Sequence, residues 1–348
     1  MHFSSKIVAS MMLVSCAWLG GCDEVSPDLG PIELRENVIN GPVMNTANLN
    51  GFTLNGFTLN GGEFNGFTLN GFTLNTDELN GFTLNGSSFS GTRIVGGVPQ
   101  VVSGTGLIGL NMTLMHGSDV FILTFDDIHL DANNPAGDVY LYNISVYDVM
   151  HNVTAPLCTV NGEAAPAIPL VNHWNAVTGD RVDDATVVTF ACRGGALAKC
   201  VDWGYRPWAS SVRCDPVTAV CAPVSLKDYH QACTRMVRAD YCGDGTPHTV
   251  NGTLIDVYDR LSPGIQNESS AGNPVWGVEA EWGPDGALCA GESLRLHHLD
   301  ELGIPYTYPP CLDDLQEQPD CGTFPTERGA MVGNSYCEAF GTDPKSCG

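Results

Sequence analysis

Positive charge is scarce in this chain: 15 Lys and Arg stand against 39 Asp and Glu in 348 residues, a formal net charge of −24. So acidic a chain repels phosphate backbones and has no basic stripe that could release counterions, which argues against nucleic acid as a partner. Apolar runs are short as well, none approaching the roughly 20 residues that a membrane-spanning helix needs. There is no C-x-x-C pair and no H-E-x-x-H, so zinc has no recognisable ligand set. G-x-S-x-G is missing too, which removes the usual serine elbow. No metal and no cofactor is expected.

Cysteine, by contrast, is plentiful at 14 residues. Cys16 and Cys22 lie near the start, and the remaining set is even in number: Cys158, Cys192, Cys200, Cys214, Cys221, Cys233, Cys242, Cys289, Cys311, Cys321, Cys337 and Cys347. An even set in an exported chain reads as a disulfide framework formed outside the reducing cytosol. Spacing does not fix the pairing. The simplest short-range scheme joins Cys192 to Cys200, Cys214 to Cys221, Cys233 to Cys242, Cys311 to Cys321 and Cys337 to Cys347, and leaves Cys158 for Cys289.

Export itself is read from the first residues. Lys6 precedes an apolar run from Ile7 to Leu19, the pattern of a signal peptide. The run ends in Leu19-Gly20-Gly21-Cys22, which resembles the lipobox of bacterial lipoproteins. That resemblance implies that residues 1–21 are removed and that Cys22 is acylated. At about 0.8 kcal/mol per buried methylene, two or three acyl chains hold a protein stably where one does not. Asp23 resembles an inner-membrane retention signal of enteric bacteria, but other groups sort differently, so the choice of membrane stays open. Residues 22–41, acidic and proline-containing, then read as a tether.

Residues 42–96 form a repeat array. One apolar residue recurs at every fifth position from Met44 to Ile94, usually within Asn-Gly-Phe-Thr-Leu. The period resembles the pentapeptide-repeat family and implies a short right-handed β-helix. Phe52, Phe57, Phe67, Phe72 and Phe82 depart from that pattern, because a ring crowds so narrow a prism. The alternative is a flexible Asn/Gly-rich spacer.

Residues 97–180 read as β-rich. Strands are expected at Val120–Phe125 and Val139–Val149, either side of a turn at Asp131–Pro135, and a further one at Val187–Phe190. Gly104 to Gly109 spells G-x-G-x-x-G, but strand-like residues follow it, so no dinucleotide site is expected. Residues 181–348 hold most of the cysteines. Phe190-Ala191-Cys192, Gly195 to Cys200, Trp203 to Trp208, Arg235 to Gly245, Glu279 to Trp282 and Gly286 to Cys289 resemble the bacterial ADYC domain family. That resemblance implies an extracytoplasmic domain and transfers no catalytic residue. Ser225 to Asp228 reads as a capping box for a helix that places Leu226, Tyr229, His230, Cys233, Met236 and Val237 on one face, with Gly243 ending the segment. The fold class expected is α+β, mostly β: a short β-helix, then a disulfide-rich, β-dominated domain with at least one helix.

Candidate functional residues are few. His230 could serve as a base oriented by Asp240 or Asp244, although a histidine on an apolar helix face is more often a core residue. Trp203 and Trp208 read as core-rim aromatics, with a carbohydrate-stacking platform as the alternative. Asp131, Asn133 and Asp138, or Asp240 and Asp244, could offer oxygens to calcium but suit surface turns equally. His297 and His298 read as an exposed pair. The expectation is a lipid-anchored cell-envelope protein acting as a non-enzymatic binding or structural module for an envelope polymer, a glycan or a protein partner. The alternative is a secreted hydrolase acting on envelope or extracellular polymers.

Overall fold

The computed structural model describes residues 46–49, 52–55, 65–68, 80–95, 98–116, 119–160, 162–175, 177–184, 187–215, 218–325, 328–338 and 347. The signal segment, Cys22, the tether and much of the repeat array lie outside them. The described region is mostly β, with four α-helices: α1 (Ala196–Asp202), α2 (Lys227–Arg238), α3 (Leu296–Leu302) and α4 (Leu312–Gln316). Among the described residues no helix is long and apolar enough to cross a membrane.

The large sheet is built on the expected strands. Asp119–Leu130 pairs antiparallel with Tyr140–Asp148, which reaches Val188–Cys192 through Ala167–Val171. Alternation along Tyr140–Asp148 sends Tyr142, Ile144 and Val146 to one face and Leu141 to the other. Both faces are covered at the centre, which is why Val188–Cys192 is buried throughout. The first face meets a three-stranded sheet of Asn80–Asn85, Ser88–Val95 and Val98–Ser103. There the Phe89 ring lies 5.5 Å from Phe125 and 5.8 Å from Phe190. The Tyr142 hydroxyl donates to Ser87 O at 3.1 Å and accepts from Phe89 N at 2.8 Å. Burial pushes that phenol up to about 12, so it remains a donor at any physiological pH.

The described parts of the array do not form β-helix coils. Thr46–Leu49 pairs antiparallel with Val188–Cys192, Phe52–Asn55 pairs with Asn65–Thr68, and Asn80–Asn85 turns back on Ser88–Val95. Glycine supplies the reason at the last of these. Asn85 pairs with Ser88, the turn runs through Gly86 and Ser87, and Gly86 takes the positive φ of 62° that a tight turn needs. The G-x-G-x-x-G segment also makes a turn, a 3₁₀ element at Gly104–Leu107 between two strands.

The other face of the large sheet packs Leu141, Ile168, Leu170 and Trp174 against α1 and α2, which a Cys200–Cys233 bridge joins. Beyond α2 lies a four-stranded antiparallel sheet in the order Ile255–Asp259, Val332–Cys337, Trp276–Gly283, Gly286–Ala290. One of its central strands, Val332–Cys337, arrives from the C-terminal part of the chain and pairs on both sides.

Twelve cysteines form six bridges: Cys158–Cys192, Cys200–Cys233, Cys214–Cys221, Cys242–Cys311, Cys289–Cys321 and Cys337–Cys347. Short-range pairing holds only for Cys214–Cys221 and Cys337–Cys347. Elsewhere packing decides: Cys200 and Cys233 face each other across two helices, while Cys242 is claimed by a segment 69 residues away. Each bridge contributes about 2–4 kcal/mol, chiefly by constraining the unfolded chain.

Candidate functional site

Helix α2 carries the family-like motif at its C-terminal end. The expected capping box does not form. Ser225 closes a strand, Leu226 occupies the cap without a side-chain bond, and the Ser225 hydroxyl accepts from Lys227 N at 3.2 Å. The apolar face is as expected, with Leu226, Tyr229, Cys233, Met236 and Val237 buried. The helix stops earlier than Gly243, at Ala239, whose φ of 51° and ψ of 44° turn the chain into the left-handed region.

Asp240 follows, with its side chain fully buried. It accepts from Arg235 Nη1 at 2.6 Å and from Gly245 N at 3.1 Å, with Arg238 Nη1 at 3.6 Å. Burial pushes its carboxyl above the usual range, against the pull of Arg235, Arg238 and the Gly245 amide. Arg235 also reaches Thr178 O, Pro284 O and the Asp180 carboxylate. Gly179 must be glycine here, because an added Cβ would lie 2.6 Å from Arg238 Nη1 and 2.8 Å from Arg235 Nη1.

Tyr241 is stacked on Trp282 at 5.4 Å and donates its hydroxyl to Glu279. Glu279 is itself held by Arg295 Nε at 2.8 Å and by Asn334 Nδ2. The Arg295 guanidinium donates to Val237 O at 3.3 Å and to Met236 O at 2.6 Å, the latter also accepting from Ala239 N at 3.0 Å, so it places positive charge at the C-terminal end of α2. Cys242 bridges to Cys311. Past the motif, His248 sets Nδ1 3.1 Å from Ala239 O and Nε2 3.0 Å from Thr307 O, tying the helix end to the C-terminal segment. Every side chain of Asp240-Tyr241-Cys242 is thus engaged internally.

The remaining candidates are not brought together. His230 is fully buried near the start of α2, its Nε2 donates to Leu197 O at 3.0 Å, and Trp174 lies edge-on at 5.6 Å. Burial lowers its pKa to about 4, so it is a neutral core imidazole. Asp240 lies beyond the other end of the helix, about 15 Å away by helical rise. Asp244 is exposed and accepts from Thr246 N at 2.8 Å. Burial works to raise its pKa, but the hydrogen bonds from Thr246 prevail and leave it lowered. Trp203 and Trp208 are half-buried against the core, and Trp208 Nε1 donates to Asp138 at 2.9 Å. Asp131 is held by Arg193 at 2.8 Å, and Asp138 by Arg206 as well as Trp208. The expected His297–His298 pair is only half exposed, since His298 is buried beside Glu301 at 3.3 Å.

Sequence reasoning missed a second cluster, on α1. Lys199 is 9% exposed, and burial, reinforced by Arg295, lowers its pKa to about 8. One turn on, burial raises Asp202 to about 6 against the pull of Arg193, which bonds it at 3.1 Å. The available signal was a lone lysine within the apolar stretch Ala196-Leu197-Ala198-Lys199-Cys200-Val201.

The fold and these sites define a disulfide-braced, mostly β domain of a kind formed in oxidising, extracytoplasmic surroundings. Residues 104–295, more than half of the chain, match the ADYC domain, and the chain belongs to that family. No curated protein and no solved structure matches it.

Proposed function

We propose that this chain is a lipid-anchored cell-envelope protein whose ADYC region is a non-enzymatic binding or structural module. The observation that carries this reading is the internal use of the motif: Asp240, Tyr241 and Cys242 brace the end of α2 and are taken up by Arg235, Glu279 and Cys311. Acylation at Cys22 and removal of residues 1–21 complete the reading, with residues 22–41 as the tether. A neutral, buried His230 disfavours the hydrolase alternative.

The test combines detergent partitioning of the wild-type protein and Cys22→Ser with glycan-array binding and parallel glycosidase, esterase and peptidase assays on the oxidised full-length protein. The reading expects a detergent-phase wild type, an aqueous-phase Cys22→Ser, saturable binding to an envelope polymer and no turnover. Turnover abolished by His230→Ala in a folded protein would overturn it.

A further inference from the structure

The six bridges differ in how far solvent reaches them. Cys158–Cys192, Cys200–Cys233 and Cys337–Cys347 bury both residues, Cys289–Cys321 buries Cys289, and Cys242–Cys311 is half-buried beyond the end of α2. Cys214–Cys221 stands apart. Among the described residues Cys221 is the one exposed cysteine, and Cys214 is half-buried. The bridge spans a hairpin of Ser210–Cys214 and Cys221–Ser225, in which the two cysteines face each other directly. Because Asp215 N donates to Val220 O at 2.9 Å, the cysteines occupy the adjoining non-hydrogen-bonded pair, where antiparallel strands bring side chains closest. Their Cα atoms are 3.9 Å apart, against 5.3–5.9 Å in the other five bridges. Bridges closer than about 4.4 Å are the more readily reduced. This one also closes the shortest loop, with a sequence separation of 7, and so constrains the unfolded chain least. The base of the hairpin is held independently, since Val212 O accepts from Ser262 N at 2.7 Å and Ala209 O from Leu226 N at 3.0 Å.

We infer that Cys214–Cys221 is a thiol–disulfide exchange site, which a low-molecular-weight thiol opens while the other five bridges brace the fold. A thiolate attacks the exposed Cys221 Sγ. One S–S bond forms, the Cys214–Cys221 bond breaks, and Cys214 leaves as a thiolate that takes a proton from water. A second thiolate attacks the sulfur of the first in the mixed disulfide and releases Cys221 in the same way. One protein disulfide and two small thiols thus give two cysteine thiols and one small disulfide. Exposure selects this bridge for exchange, because a thiolate must reach the sulfur in line with the bond it breaks. The site goes beyond the binding role proposed above and does not depend on it.

The oxidised full-length protein is incubated with reduced glutathione at pH 7.5 and sampled into excess N-ethylmaleimide, and the alkylated cysteines are quantified by peptide mass mapping. Cys214 and Cys221 are expected to open at least about tenfold faster than any other pair, and to close again when glutathione disulfide is supplied. Near-ultraviolet circular dichroism, followed in parallel, should keep its folded signature while they are open. Any other bridge opening as fast as Cys214–Cys221 overturns the proposal, and so does loss of the folded signature together with this bridge. Both readouts use the wild-type chain, so neither depends on a variant that folds.

Discussion

The two ends of the described region are held together by different physics. Around Phe89, Phe125, Tyr142 and Phe190 the interior is aromatic and apolar, with one disulfide, Cys158–Cys192, at its margin. Around α2 and the four-stranded sheet, Glu279 and Arg295 are 0% exposed, Arg235 is 1%, and two bridges bring in residues from past position 295. An aromatic core tolerates approximate packing, because a ring can be replaced by another apolar group of similar volume. A buried ion network does not, since losing one member leaves an uncompensated charge. Precision is therefore concentrated where the family motif lies.

The largest effect that separates the two regions is expected from Arg295→Met, which strands Glu279 and uncaps α2. It should lower unfolding free energy by about 3–5 kcal/mol in denaturant titration, against less than about 1.5 kcal/mol for Ile144→Leu in the apolar region. Next comes pH. The folded His230 is lowered to about 4 from an ordinary value near 6.5, so the folded state holds fewer protons between those values. Stability from this group is complete above pH 6.5 and falls by about 3 kcal/mol as pH drops to 4, and His230→Phe should flatten that part of the pH–stability curve. Asp202, raised to about 6, acts in the opposite sense: its contribution is complete below about pH 4 and is lost as pH rises through 6. Replacing both Cys214 and Cys221 with serine should cost about 2 kcal/mol in thermal unfolding, less than the same change at Cys200 and Cys233, which close a longer loop. The smallest expected effect is Trp208→Phe, which removes one hydrogen bond to Asp138 and should cost about 1 kcal/mol.

The same contrast governs what could be read from the sequence. Val120–Phe125 and the Val139–Val149 segment announced themselves by β-branched residues and alternation, and the structure places strands at Asp119–Leu130 and Tyr140–Asp148. The buried face of α2 was equally legible from its spacing. Glu279–Arg295 was not, because an ion pair between a strand and the residue ahead of α3 leaves no periodic trace. Most of the disulfide pairing was hidden for the same reason, since packing and not sequence distance sets which sulfurs meet. Two local signals were legible only in part: Ser225 to Asp228 does mark the start of α2 at Lys227, although without the bonds of a capping box, and the repeat that suggested a β-helix corner turns a hairpin at Gly86. Lys199 and Asp202 acquire their altered acidities chiefly from burial, which one helix turn cannot reveal.

The account turns on the Asp240-Tyr241-Cys242 turn being the lock between the family-matched region and the C-terminal segment that inserts Val332–Cys337 into the sheet. Peptide mapping of the oxidised full-length protein under non-reducing, acidic conditions tests it most directly. The expected result is a peptide pair joined through Cys242 and Cys311 in stoichiometric yield, with a second joined through Cys289 and Cys321. Cys242 recovered as a free thiol, or bridged to Cys233, would contradict it.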